Sequence, residues 1–250
     1  MSVISSIAEF FEQLSVEHGW DFSVFYDPYD FDQFITAAWI SVQLMFYVVI
    51  ASLFVGVVGA WLQRSRFRTL NLCITAFVEV FRNTPPMIQM LFFYFALGAL
   101  TPMTDAGGYM EPMISAFGWA IISLGLFGGA FNIEIFRAGL DSVPQSTIDG
   151  AESLGFSKWQ IYFEITLPLA LRISYPSLVN NLISLAKWTS LGYVVGVSEM
   201  TLTLRRIWSL QSNTVEMMIV LFLFYVTIIS LISWALHRLE KKLALPGYGE

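Results

Sequence analysis

The sequence predicts an all-α membrane protein with five transmembrane helices, its N-terminus outside and its C-terminus cytoplasmic. Three observations predict it. The 250-residue chain is 56% hydrophobic and 13% charged, with a mean hydropathy of +0.65, whereas soluble domains carry about 25% charged residues. Apolar runs long enough to cross about 30 Å of hydrocarbon recur along it. Its Lys and Arg residues gather on one set of loops, which fixes an orientation.

Residues 1–33 form an acidic extracytoplasmic arm. Glu9, Glu12, Glu17, Asp21, Asp27, Asp30 and Asp32 all precede the first basic residue, Arg64. Ile4, Ile7, Ala8, Phe11 and Leu14 recur at helical spacing with Glu9, Glu12 and Gln13 opposite, which predicts a short amphipathic helix lying on the outer interface. The start MSVISSIAEFFEQ has no positively charged region, so no cleaved signal peptide is expected. The single cysteine, Cys73, excludes an internal disulfide.

A membrane domain follows over 34–242, with spans at about 34–62, 70–100, 113–136, 173–197 and 216–237 and a cytoplasmic tail at 243–250. The first span is uncharged throughout. The second holds Glu79, Arg82 and the pair Pro85-Pro86, and two prolines in succession predict a helix break. The third carries Gly125, Gly128, Gly129 and Ala130, a small-residue strip for close helix packing. Arg64, Arg66, Arg68, Arg137, Lys158, Arg172, Arg238, Lys241 and Lys242 fall on one side, and Arg205 and Arg206 alone on the other. The basic side is cytoplasmic.

Between the third and fourth spans the chain turns polar. Ser142, Pro144 and Gln145 predict a capped helix start, Gly155 its end, and Ser157 with Gln160 a second capping box. Val143, Thr147, Ile148, Ala151 and Leu154 share one predicted face, with Asp149 and Glu152 on another. The product is a helix, a glycine corner and a helix, with small residues at Gly150 and Ala151 where a cytoplasmic protein can approach closely.

The segment 142–168 resembles the EAA motif of ABC-importer permeases: Glu-Ala-Ala, three residues, glycine, nine residues, then Ile-x-Leu-Pro. Asp149, Gly150 and Ala151 stand at the triplet, Gly155 at the glycine, and Ile165, Leu167 and Pro168 close it. The stretches VEVFRNTPPMIQMLFFYF, EIFRAGLDSVP, SLAKWTSLGYVVGVSEMT and HRLEKK are similar, in order, to permeases of the polar amino-acid uptake family, the histidine, glutamine and arginine type. Trp188 stands where that family usually has an acidic residue.

The resemblance implies an inner-membrane, multi-pass permease subunit that translocates a polar amino acid. It implies a second permease subunit (copy or paralogue), two ATP-binding subunits and an extracytoplasmic substrate-binding protein. Asp149, Gly150, Ala151, Glu152 and Gly155 would couple to the ATPases. No cofactor is expected in this chain, and ATP-Mg belongs to the ATPase partners.

Charged side chains in lipid cost about 2.5–3.5 kcal/mol each even on the lenient insertion scale, so Arg82 and Lys187 need partners or a wet cavity. Helix breaks at membrane depth line cavities. Arg82 and Thr84 at the proline break are therefore the leading substrate-path candidates, with Lys187, Thr189 and Ser190 on the opposite wall. Counting along straight helices from Arg68 and Arg172 places Arg82 and Lys187 about 21–22 Å in. Two readings stand for Arg82: it forks onto a substrate carboxylate, or it pairs with Glu79 at i, i+3. Lys187 has a structural reading too. Glu134 and Arg137 share a face and are expected to pair.

No phosphate-binding loop or metal-ligand cluster is present in the sequence, and His18 and His237 lie at opposite ends. The chain is not expected to hydrolyse ATP, and no basic patch suits nucleic acid. The alternative is an ion-coupled secondary amino-acid transporter, which has no use for an EAA-like segment and shows inverted repeats, not evident here.

Overall fold

The computed structural model describes residues 3–105 and 107–243. Apart from Leu243, the tail predicted at 243–250 lies outside them. The arm is helix α1 (Val3–His18), followed by a short 3₁₀ turn at Ser23–Phe25. Phe11 packs its ring on Phe22 and Phe25 at centroid distances of 5.5 and 4.7 Å.

Helix α2 (Pro28–Gln63) begins six residues before the predicted span. Asp27 caps it, accepting from the Tyr29 and Asp30 amides, and Pro28 opens the first turn. A cap and an acidic first turn favour helix there, so Asp30 and Asp32 belong to the helix and not to the arm. Helix α3 (Arg68–Arg82) and helix α4 (Pro86–Leu91), which winds on through π and 3₁₀ turns to Leu100, form the broken second segment. A two-strand hairpin, β1 (Met103–Asp105) with β2 (Met110–Pro112), then leads into α5 (Ala116–Asp141).

The polar segment is α6 (Gln145–Ser153), α7 (Lys158–Gln160) and a π turn at Ile161–Thr166 that enters α8 (Leu167–Trp188). A 3₁₀ turn at Thr189–Val195 follows and ends at Gly196, φ +88°. Helix α9 (Met200–Gln211) and the long α10 (Thr214–Leu243) complete the chain. Among the described residues α2, α5 and α10 are long and apolar enough to cross a membrane. Helix α8 has 22 residues but carries Arg172, Asn180 and Asn181.

The core is the seam between α2 and α5, where the predicted glycine strip works as expected. Gly125 faces Ala51, Gly128 faces Leu185 and Ser52, and Gly129 faces Val55, so closely that an added Cβ would collide at each. Asn132 stitches this seam to α8: its amide donates to Ser52 Oγ at 3.3 Å, and it accepts from Asn181 Nδ2 at 2.8 Å. Leu44, Val48, Met90, Leu124 and Leu185 fill the space among α2, α4, α5 and α8.

Candidate functional site

Two interruptions of helix define the candidate site. The first is the proline break between α3 and α4. In a continuous helix the Pro85 amide would bond the Phe81 carbonyl, and proline has no N–H to give. Buried Gln89 supplies the missing donor, its Nε2 reaching Phe81 O at 2.8 Å and Thr84 O at 3.0 Å. Asn83 Nδ2 donates to Glu79 O at 2.8 Å and Thr84 Oγ1 to Val80 O at 2.7 Å. The break is thus closed by its own side chains, and Gln89 was not among the residues singled out from sequence.

Arg82 sits at the edge of this break. Its i, i+3 pair with Glu79 does not form, because Glu79 Oε2 accepts from Asn83 instead, at 2.9 Å. The guanidinium turns to α5, 3.8 Å from Glu134 and 5.3 Å from the Phe131 ring centre. Glu134 is bonded to Arg137 at 2.7 Å, and Arg137 lies 3.8 Å from Asp141, itself 3.9 Å from Arg64. Glu134 is seven residues from the end of α5, or about 10 Å at helical rise. The guanidinium therefore lies nearer the Asp141 end of α5 than counting along a straight helix from Arg68 suggests. At 3.8 Å the Glu134 contact is an ion pair without a hydrogen bond. Arg82 makes no side-chain hydrogen bond among the described residues, so its fork stays open to a ligand.

The opposite wall is divided. Lys187 is exposed and has no ion pair among the described residues. Thr189 is buried, with its hydroxyl donated to Ala186 O at 2.7 Å, so it offers a path nothing in this conformation. Ser190 Oγ bonds Lys187 O at 2.9 Å. The structure does not bring Arg82 and Lys187 onto a common partner.

The second interruption is the corner after α6. Gly155 has φ +84°, a left-handed conformation that glycine adopts without strain. Its amide bonds Glu152 O at 3.0 Å and the Phe156 amide bonds Ala151 O at 3.2 Å, the two bonds of a Schellman ending. Ser157 and Gln160 form the predicted capping box. The box predicted at Ser142 does not form. Helix α5 runs to Asp141, so Ser142 is its C-cap and donates to Ala138 O at 2.7 Å, while Gln145 bonds Asp149 Oδ1 at 2.8 Å.

The predicted apolar face is also split. Val143 and Ala151 are buried, while Thr147 is exposed and Leu154 is 79% exposed. Asp149, Gly150, Glu152 and Gly155 are all exposed. The corner thus presents an exposed leucine beside small and acidic residues.

Glu199 is a further residue not singled out from sequence. Buried, it caps α9 through the Thr201 and Leu202 amides and accepts from Tyr225 OH at 2.8 Å, tying α9 to α10.

A bundle of apolar helices with one broken segment and an exposed polar corner has the make-up of a helical membrane protein. Residues 49–245 match the family described as the binding-protein-dependent transport system inner membrane component, and the chain belongs to that family. It is 31% identical over 210 residues to the glutamine transport system permease protein GlnP of Escherichia coli K12, covering 83% of this chain and 89% of that one. It is 28% identical over 214 residues to the glutamate transport system permease protein GluC of Corynebacterium efficiens, covering 84% and 94%. Among solved structures, an amino acid ABC transporter crystallised with histidines matches with a TM-score of 0.74 and 25% identity, over 84% of this chain and 94% of that one. The chain is accordingly an inner-membrane permease subunit and not an enzyme. Components of this family work with substrate-binding and ATPase partners.

Proposed function

We propose that the chain is the permease subunit of an ATP-driven ABC importer that carries a polar amino acid inward. The observation that carries the substrate class is the agreement of the relatives: two are named for glutamine and glutamate transport, and the solved neighbour is an amino acid ABC transporter. In this reading five segments cross the membrane: α2, α3 with α4, α5, α8 with its 3₁₀ extension, and α10. The arm lies outside and α6 in the cytoplasm, as the basic loops require.

A second permease subunit, copy or paralogue, completes the path. Two ATPase subunits, which bind ATP-Mg, dock at Asp149, Gly150, Ala151, Glu152 and Gly155, and a binding protein delivers substrate from outside. Nucleotide-driven closure of the ATPases moves α6, and α5 and α8 carry that motion into the bundle. Arg82, Thr84, Lys187 and Ser190 line the path, with Thr189 holding the Lys187 wall in place. Arg82 receives the substrate carboxylate on its open fork.

The test is uptake by the assembled transporter in proteoliposomes loaded with ATP. ATP-dependent, vanadate-sensitive uptake of an amino acid is expected without any ion gradient. Uptake that needs a sodium or proton gradient and ignores vanadate contradicts the reading.

A further inference from the structure

A cavity of about 900 Å³ lies apart from the proline break and just beyond the Gly155 corner, between the last turns of α2, the end of α5 and the α7 entry to α8. Its walls are apolar, among them Phe136, Leu140, Leu167 and Leu171. Its lips are Trp61, Trp159 and Phe163, which stand 70%, 73% and 55% exposed, with Trp159 stacked on Phe163 at 5.7 Å. Exposed tryptophans at helix ends mark the level of the membrane interface. Arg238, stacked on Trp234 at 4.3 Å near the end of α10, is the same pairing of cation and indole on the proposed cytoplasmic side.

The charge at the mouth has one sign. Arg64 and Lys158 line the cavity and no carboxylate does. Arg64 reaches Asp141 only at 3.9 Å, and Lys158 has no ion pair among the described residues. From Arg64 the lining runs along α2 to Val57, seven residues or about 10 Å deeper. The result is a cationic mouth over a greasy slot.

We propose that this groove holds one anionic phospholipid of the inner leaflet, its phosphate between Arg64 and Lys158 and its first acyl carbons along the slot. Basic pockets between helices at a membrane's cytoplasmic face bind such headgroups, and an apolar slot without the cations would take any lipid. A second permease subunit is the other occupant to weigh. A copy of this chain would bring more basic residues to this depth, since Arg66, Arg68, Arg172, Lys241 and Lys242 gather on the same side. Like charge disfavours it. The naming of the leaflet rests on the orientation proposed above; the lipid chemistry does not.

The experiment is native mass spectrometry of the purified, assembled transporter titrated with phosphatidylglycerol or with phosphatidylcholine. The wild type should retain phosphatidylglycerol preferentially. Lys158→Glu and Arg64→Gln should each weaken that retention about fivefold or more, leaving phosphatidylcholine unchanged, and Ala60→Phe should lower retention of both by filling the slot. Equal retention of the two lipids, or undiminished phosphatidylglycerol retention in both charge variants, overturns the proposal. So does cross-linking of Phe163→Cys to a second permease subunit in native membranes. If Ser157→Cys labels from outside intact cells while the lipid preference persists, the groove stands and the orientation falls.

Discussion

The two interruptions of helix are built in opposite ways. At the proline break the side chains mend the backbone from within: Gln89 replaces the donor that Pro85 lacks, and Asn83 and Thr84 cover the neighbouring carbonyls. At the glycine corner the backbone is closed by a tight local turn, and the side chains are left outward, with Leu154 79% exposed. In hydrocarbon an unpaired backbone group costs several kcal/mol, so a break there must satisfy itself before it can serve a ligand. In water that cost is absent, and a corner can present its apolar residue to a partner. In the function proposed above, the same device, a stopped helix, serves a path in one place and a dock in the other.

The largest effect expected is at the corner. Gly155→Asp should abolish uptake and co-purification of the ATPase while the chain still inserts. An added Cβ meets nothing within the chain, and aspartate tolerates the left-handed conformation better than most residues. The loss must therefore arise at the partner's surface. Normal ATPase binding in this variant would remove the distinction between the two regions.

At the break, Arg82→Ala should lower uptake about 10- to 100-fold, the worth of a hydrogen-bonded charge contact, with assembly intact. Glu134→Gln should do less, since a half-exposed pair at 3.8 Å contributes no more than about 1 kcal/mol. Equal losses in the two variants would make Arg82 a structural partner of α5.

Gln89→Leu should have the smallest effect on transport chemistry and a direct one on stability. It leaves the Phe81 carbonyl unpaired, at about 1–3 kcal/mol, seen as a lower unfolding temperature of the purified subunit in detergent. An unchanged unfolding temperature would mean that the break is not held by this amide.

Much of this was legible in the sequence, for physical reasons. Two adjacent prolines, a glycine after a short helix and the Ser157-x-x-Gln160 box are local signals whose geometry depends on few other residues, and all three appear as expected. The pairing of Arg82 was not legible, because Glu79 competes locally with Asn83 and the actual partner, Glu134, comes from another helix. Ser142 misled because Ser-x-x-Gln also fits the end of a preceding helix that runs on to Asp141. Helix α9 escaped notice because its anchors are distant: Ser41 Oγ accepts from the Met200 amide, Glu199 from the Tyr225 hydroxyl, and Asp30 from the Gln211 amide. Thr189 was placed on the path by its neighbours in the chain, whereas the 3₁₀ turn rotates it into the core.

The account's central claim is that the mended break lies within the membrane and the open corner lies in the cytoplasm. Its most direct test is labelling of single cysteines with a membrane-impermeant maleimide, in a Cys73→Ser background because Cys73 is itself exposed. Asp105→Cys, on the hairpin, should label in intact cells, and Ser157→Cys only after permeabilisation. Labelling of Ser157→Cys in intact cells would contradict the claim, since no ATPase could then reach the corner.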